Sequence, residues 1–282
     1  MECGFYPFPL EAIDLSTAKS QFEFKENYNF QDLVDIMKIL REPGGCPWDA
    51  EQTHESIRRN FIEETYEVIE AIDKNDSELL REELGDVLMQ VVFHAQISQE
   101  EGTFDIDAVC DEVCKKLIIR HPHVFSDVIA DTSDKVLENW DAIKMQTKEQ
   151  KTQAEVLDSV SHSLPALIRA HKVQHKARKF GFDWDDVGGA IDKLSEEIDE
   201  LRNAIKSGSE EEKFEEFGDV LFSAVNVSRF IDVEPEHALS SSCDKFIARF
   251  SKVEALAKER GIDMQTASLE ELDALWDEIK MA

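Results

Sequence analysis

The chain has 282 residues, with 31 basic and 61 acidic side chains and a formal net charge of −30. A surface this negative repels nucleic acid polymers and anionic membranes, so we expect neither as a partner. Hydrophobic residues make up 42% of the chain, which is enough for a core, and the low counts of glycine (11) and proline (7) favour helices over strands.

Residues 1–28 precede the first helical pattern. They carry acidic residues before any basic one and have no apolar run, so we predict an N-terminal extension and not a signal peptide. No stretch of the sequence approaches the ~18 apolar residues that a membrane helix needs. The five cysteines include no Cys-x-x-Cys pair, which favours reduced thiols and a cytoplasmic protein.

Helical periodicity begins at about Asn29 and continues to the end of the chain. After a first helix, the Pro- and Gly-containing segment 41–54 is predicted to be a loop. Further helices of the first half are predicted over 56–73, 78–100, 105–121 and 135–148, with Ser77 as a helix cap. The second half repeats the order, with helices predicted over 164–180, 190–206, 210–231 and 236–260.

A group of five carboxylates occurs twice, and each member lies 133 positions from its counterpart. The Trp-Asp loops and the Trp-Asp-x-Ile-Lys segments also repeat in the same order, which indicates duplication. We predict an all-α fold of two tandem duplicated bundles, each of four to five helices: a domain at 29–147, a linker at 148–163 and a domain at 164–282. The carboxylate pairs are Glu63 and Glu196, Glu64 and Glu197, Glu67 and Glu200, Glu83 and Glu216, and Asp86 and Asp219.

The spacing of these acids predicts a metal site in each half. Carboxylates three or four positions apart share one helix face, so two antiparallel helices can direct them at each other. Oxygen ligands suit Mg²⁺, with Mn²⁺ as a possible substitute. Because Glu196 and Glu197 are adjacent, one of them must lean away from the shared face. The alternative is a solvated acidic face, which duplication of all five acids makes the weaker interpretation.

Basic residues near the second acid group could hold phosphate. Lys245 and Arg249 are four positions apart on the helix that follows these acids, and a pair on one helix face can bind phosphate oxygens. The alternative is a surface pair with no such role. Lys193, four positions before Glu197, is a further candidate, and the first half has Asn60 in its place.

Taken together, these residues resemble the MazG-type nucleoside triphosphate pyrophosphohydrolases, from about Asn29 to the C terminus. The resemblance implies hydrolysis of nucleoside triphosphates to monophosphate and pyrophosphate, Mg²⁺ dependence, a homodimer and a house-cleaning role. It also implies the all-α fold of dimeric dUTPases and phosphoribosyl-ATP pyrophosphatases. The motifs that carry it are Gly45-Cys-Pro-Trp-Asp-x-x-Gln-Thr-His, Glu63-Glu-Thr-Tyr-Glu-Val, Glu83-Leu-Gly-Asp-Val-Leu, Arg120-His-Pro-His-Val-Phe, Lys179-Phe-Gly-Phe-Asp-Trp and Glu216-Phe-Gly-Asp-Val-Leu.

The resemblance also assigns roles to residues of the second copy, which is the copy usually credited with activity in such proteins. It implies phosphate contacts from Lys193, Lys245 and Arg249, and a nucleotide contact from Trp276 that could instead be a packing residue. The first copy, with Asn60 in place of Lys193, is the weaker candidate for substrate binding. The implied metal ligands are Glu197, Glu200, Glu216 and Asp219, and the first copy keeps their counterparts Glu64, Glu67, Glu83 and Asp86.

The predicted reaction is the attack of water on the α-phosphorus, with Lys245 and Arg249 stabilising the pyrophosphate leaving group. Glu196 or Glu197, whichever a metal does not fully occupy, would accept the proton. One alternative is a non-catalytic nucleotide- or partner-binding regulator that retains a metal site. Another, a di-iron bundle, needs Glu-x-x-His on two helices, and the sequence offers only the segment 234–237.

Overall fold

The computed structural model describes residues 22–128, 132, 135–136 and 152–281. These residues form helices, turns and loops, and contain no β-strand. The chain divides into two compact units, Met1–Ile143 and Lys144–Ala282. The predicted all-α fold of two tandem bundles is therefore confirmed, with six helices instead of four to five in the described residues of each unit.

The first unit contains six helices within its described residues. Helix α1 begins at an Asn29 cap, whose side chain accepts hydrogen bonds from the backbone of Gln31 (2.9 Å) and Asp32 (3.3 Å), while Asp32 accepts one from the Asn29 N–H (2.8 Å). The helices are α1 (Phe30–Arg41), α2 (Pro47–Glu51), α3 (Arg58–Asp73), α4 (Ser77–Glu100), α5 (Ile106–Arg120) and α6 (Pro122–Phe125).

Two details of the first unit differ from the sequence-based prediction. The cap of α4 is Asp76 and not Ser77: the Asp76 carboxylate accepts hydrogen bonds from the backbone N–H groups of Glu78 (3.0 Å) and Leu79 (3.1 Å). The segment predicted as a loop at 41–54 contains the short helix α2, which begins at Pro47 because proline suits the first turn of a helix.

The second unit also contains six helices within its described residues. The turn between α9 and α10 requires glycine, since a Cβ at Gly208 would lie 2.9 Å from the Ala204 backbone. Ser209 then caps α10 through a reciprocal pair of hydrogen bonds with Glu212. The helices are α7 (Gln153–Asp158), α8 (Ala166–Arg178), α9 (Val187–Ser207), α10 (Glu210–Phe230), α11 (Pro235–Glu259) and α12 (Leu269–Met281).

Each unit has its own apolar core. In the first unit the core lies between α1, the segment before α3, and α4. In the second unit a core cluster joins α11 to α12 through Val253, Ala257 and Leu275. The first core consists of Met37, Ile57, Val92, Phe93 and Ile97.

Part of the predicted linker is helical and packs on the second unit. Val156 of α7 is 7% exposed, and the Lys176 Nζ of α8 donates to its carbonyl oxygen (3.0 Å) and to Ser159 Oγ (3.1 Å). The boundaries at 29–147, 148–163 and 164–282 stay predictions. Most of the predicted extension and helix 135–148, including Trp140, lies outside the described residues.

Across the parts of the chain that the structure describes, no helix combines the length and the apolar character that crossing a membrane would need.

Candidate metal centre and nucleotide site

Two helix pairs bring the repeated acids together. Helices α9 and α10 pack along each other, as do α3 and α4, and each pair is joined by a turn of only two or three residues. Consecutive helices joined so closely must run antiparallel. The acids at helical spacing on each member therefore face those of its partner.

In the second unit, Glu197, Glu200 and Glu216 converge. Each offers one carboxylate oxygen, and these oxygens all lie within 4.8 Å of one another. Glu197 is 5% exposed, whereas its neighbour Glu196 is exposed. This confirms the expectation that one of the two adjacent acids leans off the shared face.

Lys193 joins the second acid cluster to Glu196. Its Nζ lies 2.8 Å from Glu197 Oε1 and 3.0 Å from Glu196 Oε1. Hydrogen bonds to Glu197 and then to Glu196 hold the pKa of Lys193 above its ordinary value. The buried Glu197 carboxylate thus has a cationic partner within its own helix.

The remaining acids of the second cluster repel one another. A hydrogen bond that the protonated Glu200 donates to the Glu197 carboxylate, followed by burial, raises the pKa of Glu200. Burial and then the charge of Glu197 raise the pKa of Glu216, and Asp219 adds to this effect. Asp219 is exposed and lies outside the group of three converging oxygens. Of the four predicted ligands, the structure therefore brings three together.

The first unit repeats the arrangement with a different trio. Carboxylate oxygens of Glu64, Glu83 and Asp86 all lie within 4.8 Å of one another, and all three side chains are half-buried. Glu67 is exposed and lies outside this trio, although its side chain interacts with Glu64 and Glu83. Glu63 points away and accepts a hydrogen bond from Arg59 (2.7 Å).

The first cluster has no lysine corresponding to Lys193, so no such cation offsets the repulsion between its carboxylates. Burial, followed by the charges of Asp86 and Glu67, raises the pKa of Glu64 to about 7. Burial is also the main reason that the pKa values of Glu83 and Asp86 are raised. The position of the missing lysine is occupied by Asn60, which carries no charge.

The donor set fits a hard divalent cation. Each cluster offers carboxylate oxygens only, which is the ligand type that Mg²⁺ and Mn²⁺ prefer. Burial and then the neighbouring charges raise the pKa values of Glu64 and Glu216, and a bound cation would offset both effects. The clusters can therefore accept a metal, and the choice of Mg²⁺ remains a proposal.

The other predicted substrate residues lie on α11 and α12. Within the described chain Lys245 is exposed, Arg249 is half-buried, and neither forms an ion pair with the acids. Helix α11 packs against α12 and α8. Trp276 lies on α12 with its ring centroid 5.1 Å from that of Phe246, so it contributes to packing there. Their roles toward a nucleotide stay predictions.

Comparison with known proteins identifies the family. The sequence matches the MazG nucleotide pyrophosphohydrolase domain twice, over residues 52–125 and 189–254. It is 45% identical over 253 residues to the nucleoside triphosphate pyrophosphohydrolase of Escherichia coli K12, with 88% of this chain and 95% of that protein covered. The chain belongs to the MazG family.

Two other relatives have a similar level of identity. The nucleoside triphosphate pyrophosphohydrolase/pyrophosphatase MazG of Thermotoga maritima is 46% identical over 251 residues, covering 89% of this chain and 95% of that protein. The uncharacterized protein YabN of Bacillus subtilis is 47% identical over 254 residues, covering 90% of this chain but 52% of that protein. The family predicted from the sequence motifs is confirmed.

Sequence reasoning missed a buried ion pair in the second unit. Arg229 of α10 donates from Nη1 to Asp183 Oδ2 (2.8 Å) and from Nη2 to Asp183 Oδ1. Both side chains are largely buried, and the hydrogen bonds from Arg229 hold the pKa of Asp183 below its ordinary value. The repeated Trp-Asp loop pointed to this segment, but nothing in the sequence pairs positions 46 residues apart.

Proposed function

We propose that the chain hydrolyses nucleoside triphosphates to nucleoside monophosphate and pyrophosphate with Mg²⁺ and thereby removes unwanted nucleotides from the pool. Membership of the MazG family confirms the enzyme class, a hydrolase of nucleoside triphosphates. The observation that supports the chemistry best is the convergence of three carboxylate oxygens in each copy. Four cysteines within the described residues are free thiols, among them Cys46 and Cys243. Free thiols support a cytoplasmic location.

Glu197, Glu200 and Glu216 would hold the metal in the second copy, and Glu64, Glu83 and Asp86 would hold it in the first. When bound, Mg²⁺ neutralises charge on the triphosphate and makes water more acidic. We place Asp219 and Glu67 as outer ligands, since each lies beside its cluster without joining it.

The protein's own groups supply positioning and proton transfer. Glu196 lies outside the converging trio, so it is better placed than Glu197 to accept a proton from the attacking water. Lys193 already contacts both residues and would bind phosphate from there. Lys245 and Arg249 would stabilise the leaving pyrophosphate.

The products decide between this function and its alternatives. With a nucleoside triphosphate and Mg²⁺, we expect monophosphate and pyrophosphate in equal amounts, resolved by anion-exchange chromatography, and no turnover in EDTA. Diphosphate with phosphate would contradict the proposal. Binding of metal and nucleotide without any product would favour the non-catalytic regulator.

We also propose that the protein is a homodimer. Each acidic helix pair presents an exposed apolar pair on either side of a glycine, and a Cβ on that glycine would meet no described atom within 4 Å. Such a strip suits the close approach of a helix from a second copy. The strips are Leu84, Gly85 and Leu88 on α4, and Phe217, Gly218 and Leu221 on α10.

Light scattering after size exclusion tests the dimer. The wild-type protein should have twice the mass of one chain. The double variant Phe217→Lys with Leu221→Lys should have a mass closer to that of a single chain. A wild-type protein that stays monomeric at micromolar concentration would contradict the proposed dimer. It would not affect the proposed reaction.

A further inference from the structure

Two histidines of the first unit meet nitrogen to nitrogen. His54 lies in the loop between α2 and α3, His94 lies on α4, and their Nδ1 atoms are 2.7 Å apart. The rings are nearly parallel (3°), and their centroids are 5.0 Å apart. The centroid separation equals the nitrogen–nitrogen distance plus one ring radius on each side, so the two Nδ1 atoms point at each other. The contact is therefore a hydrogen bond between the ring edges and not a stack.

The other edge of His54 also faces α4. Its Nε2 lies 3.2 Å from the Oγ of Ser98, which is 1% exposed, and 3.9 Å from Glu101 Oε2 just beyond the end of α4. Three residues after His54, Ile57 enters the apolar core together with Val92 of α4. Both nitrogens of His54 thus hold on α4 the segment that leads into α3.

The number of protons on the histidine pair decides whether its hydrogen bond can form. A neutral imidazole has one N–H group and one acceptor nitrogen, so in the neutral pair one Nδ1 donates and the other accepts. One added proton makes one ring an imidazolium, whose Nδ1–H can still donate to the neutral ring. A second added proton puts an N–H group on both of the nitrogens that lie 2.7 Å apart, so the bond is lost and the two charged rings repel each other.

The carboxylates that interact with the pair, within the described residues, do so through His54. Besides Glu101 at 3.9 Å, Glu55 of the same loop interacts with the charge of His54. These carboxylates can offset a positive charge on the His54 ring. The pair therefore tolerates its first added proton.

The surroundings of His94 are apolar or cationic. Its ring packs against the Phe61 ring of α3, with the ring planes 64° apart and the centroids 5.8 Å apart. It also lines a groove with Arg58, and the other side chains of that groove are apolar. Burial, and then the charge of His54, holds the pKa of His94 below its ordinary value. The folded chain therefore disfavours a positive charge on both rings at once.

We infer that the histidine pair is a pH-sensitive contact, which holds the start of α3 on α4 while it carries at most one added proton and releases this segment when it binds a second. The contact contributes stability above pH ~6.5, the ordinary pKa of histidine, and loses it as the pH falls below that value. At the 133-residue offset, the second copy has Val227 in place of His94 and cannot form the same contact. Acid therefore acts through this contact on the first unit alone.

Hydrogen exchange at pH 7 and pH 5 tests the release. His94→Asn puts an amide near the position of Nδ1, which can bond to His54 but takes up no proton. In EDTA, we expect the protection factor of residues 52–60 in the wild-type protein, divided by that in His94→Asn, to fall at least about tenfold from pH 7 to pH 5. Glu64 titrates in both proteins, so its effect largely cancels in this ratio. His162→Asn, at an exposed histidine of the second unit, should behave as the wild-type protein.

Nitrogen NMR of the imidazoles tests the same point in the unaltered chain. In alkaline solution, we expect one ring of the pair to carry its proton on Nδ1 and the other to have a bare Nδ1. On acidification, the pair should take up its protons in two separate steps. A single step shared by both rings, or a protection ratio that is the same at both pH values, would overturn the inference. The NMR measurement decides it alone if His94→Asn does not fold, and neither measurement depends on the proposed function.

Discussion

Replacing Glu216 by glutamine should lower hydrolysis by the second copy at least about 100-fold, since loss of an outer-shell partner alone commonly costs 10–100-fold. Its carboxylate is one of three whose oxygens lie within 4.8 Å of one another, with Glu197 and Glu200. An amide of the same shape offers a neutral oxygen, so the site keeps its geometry but loses one negative ligand. Metal affinity and turnover should therefore fall together.

The first copy must be silenced for this measurement, because it has a cluster of its own. Glu83→Gln removes the corresponding ligand there, and the rate of the double variant then reports on both losses. The two single variants show how much of the total turnover each copy contributes. Glu215→Gln is the matched control, since this exposed neighbour on α10 lies outside the converging trio.

Calorimetry with Mg²⁺ provides a second readout that does not depend on catalysis. We expect one binding event to disappear in Glu216→Gln and none in Glu215→Gln. A double variant that hydrolyses triphosphate at the wild-type rate would mean that these acids do not hold the catalytic metal.

The acid clusters could be predicted from sequence because helical spacing is a local rule. Glu83 and Asp86 are three positions apart, as are their counterparts 133 residues later. Once these segments are predicted to be helical, the spacing places each pair on one helix face. The duplication served as an internal check on that placement. Which member of the adjacent pair, Glu196 or Glu197, enters the cluster is set by packing, and the sequence left it open.

Features that depend on distant contacts escaped prediction. The ion pair between Arg229 and Asp183 joins positions 46 residues apart, and no periodicity encodes such a pair. The cap of α4 was misassigned for a different reason: Asp76 and Ser77 are both good capping residues, and only backbone geometry distinguishes them.

Replacing Lys193 should show how much this lysine stabilises the second acid cluster. Lys193→Met removes the ammonium 2.8 Å from the Glu197 carboxylate, which is 5% exposed. A buried charge that loses its partner is strongly destabilising, although the partial exposure of Lys193 reduces the effect. In EDTA, we expect amide hydrogen exchange in α9 and α10 to accelerate by about tenfold. Mg²⁺ should restore protection by taking over the role of the cation.

Lys206→Met is the matched control, since this lysine is exposed near the end of the same helix and makes no contact with the cluster among the described residues. Equal exchange in Lys193→Met and Lys206→Met would show that the ion pair does not support the site. Turnover measured on the same samples separates stability from catalysis.

In the first copy, which has no such lysine, stability should depend on the protonation of Glu64. The pKa of Glu64 is raised from 4.5 to about 7, so its protonated form is favoured by folding. Its contribution to stability is fully present below pH 4.5 and is lost as the pH rises through about 7. In EDTA, the protection of α3 and α4 should therefore decline over this range.

Asn60→Lys places an ammonium four residues before Glu64, as Lys193 stands before Glu197. It should lower the pKa of Glu64 and slow exchange in α3 and α4 above pH 7, with a smaller change at pH 4.5, where the wild-type carboxyl group is already protonated. A gain that is equal at both pH values would show that the lysine acts by packing. A gain confined to high pH would show that this one residue accounts for the electrostatic difference between the two copies.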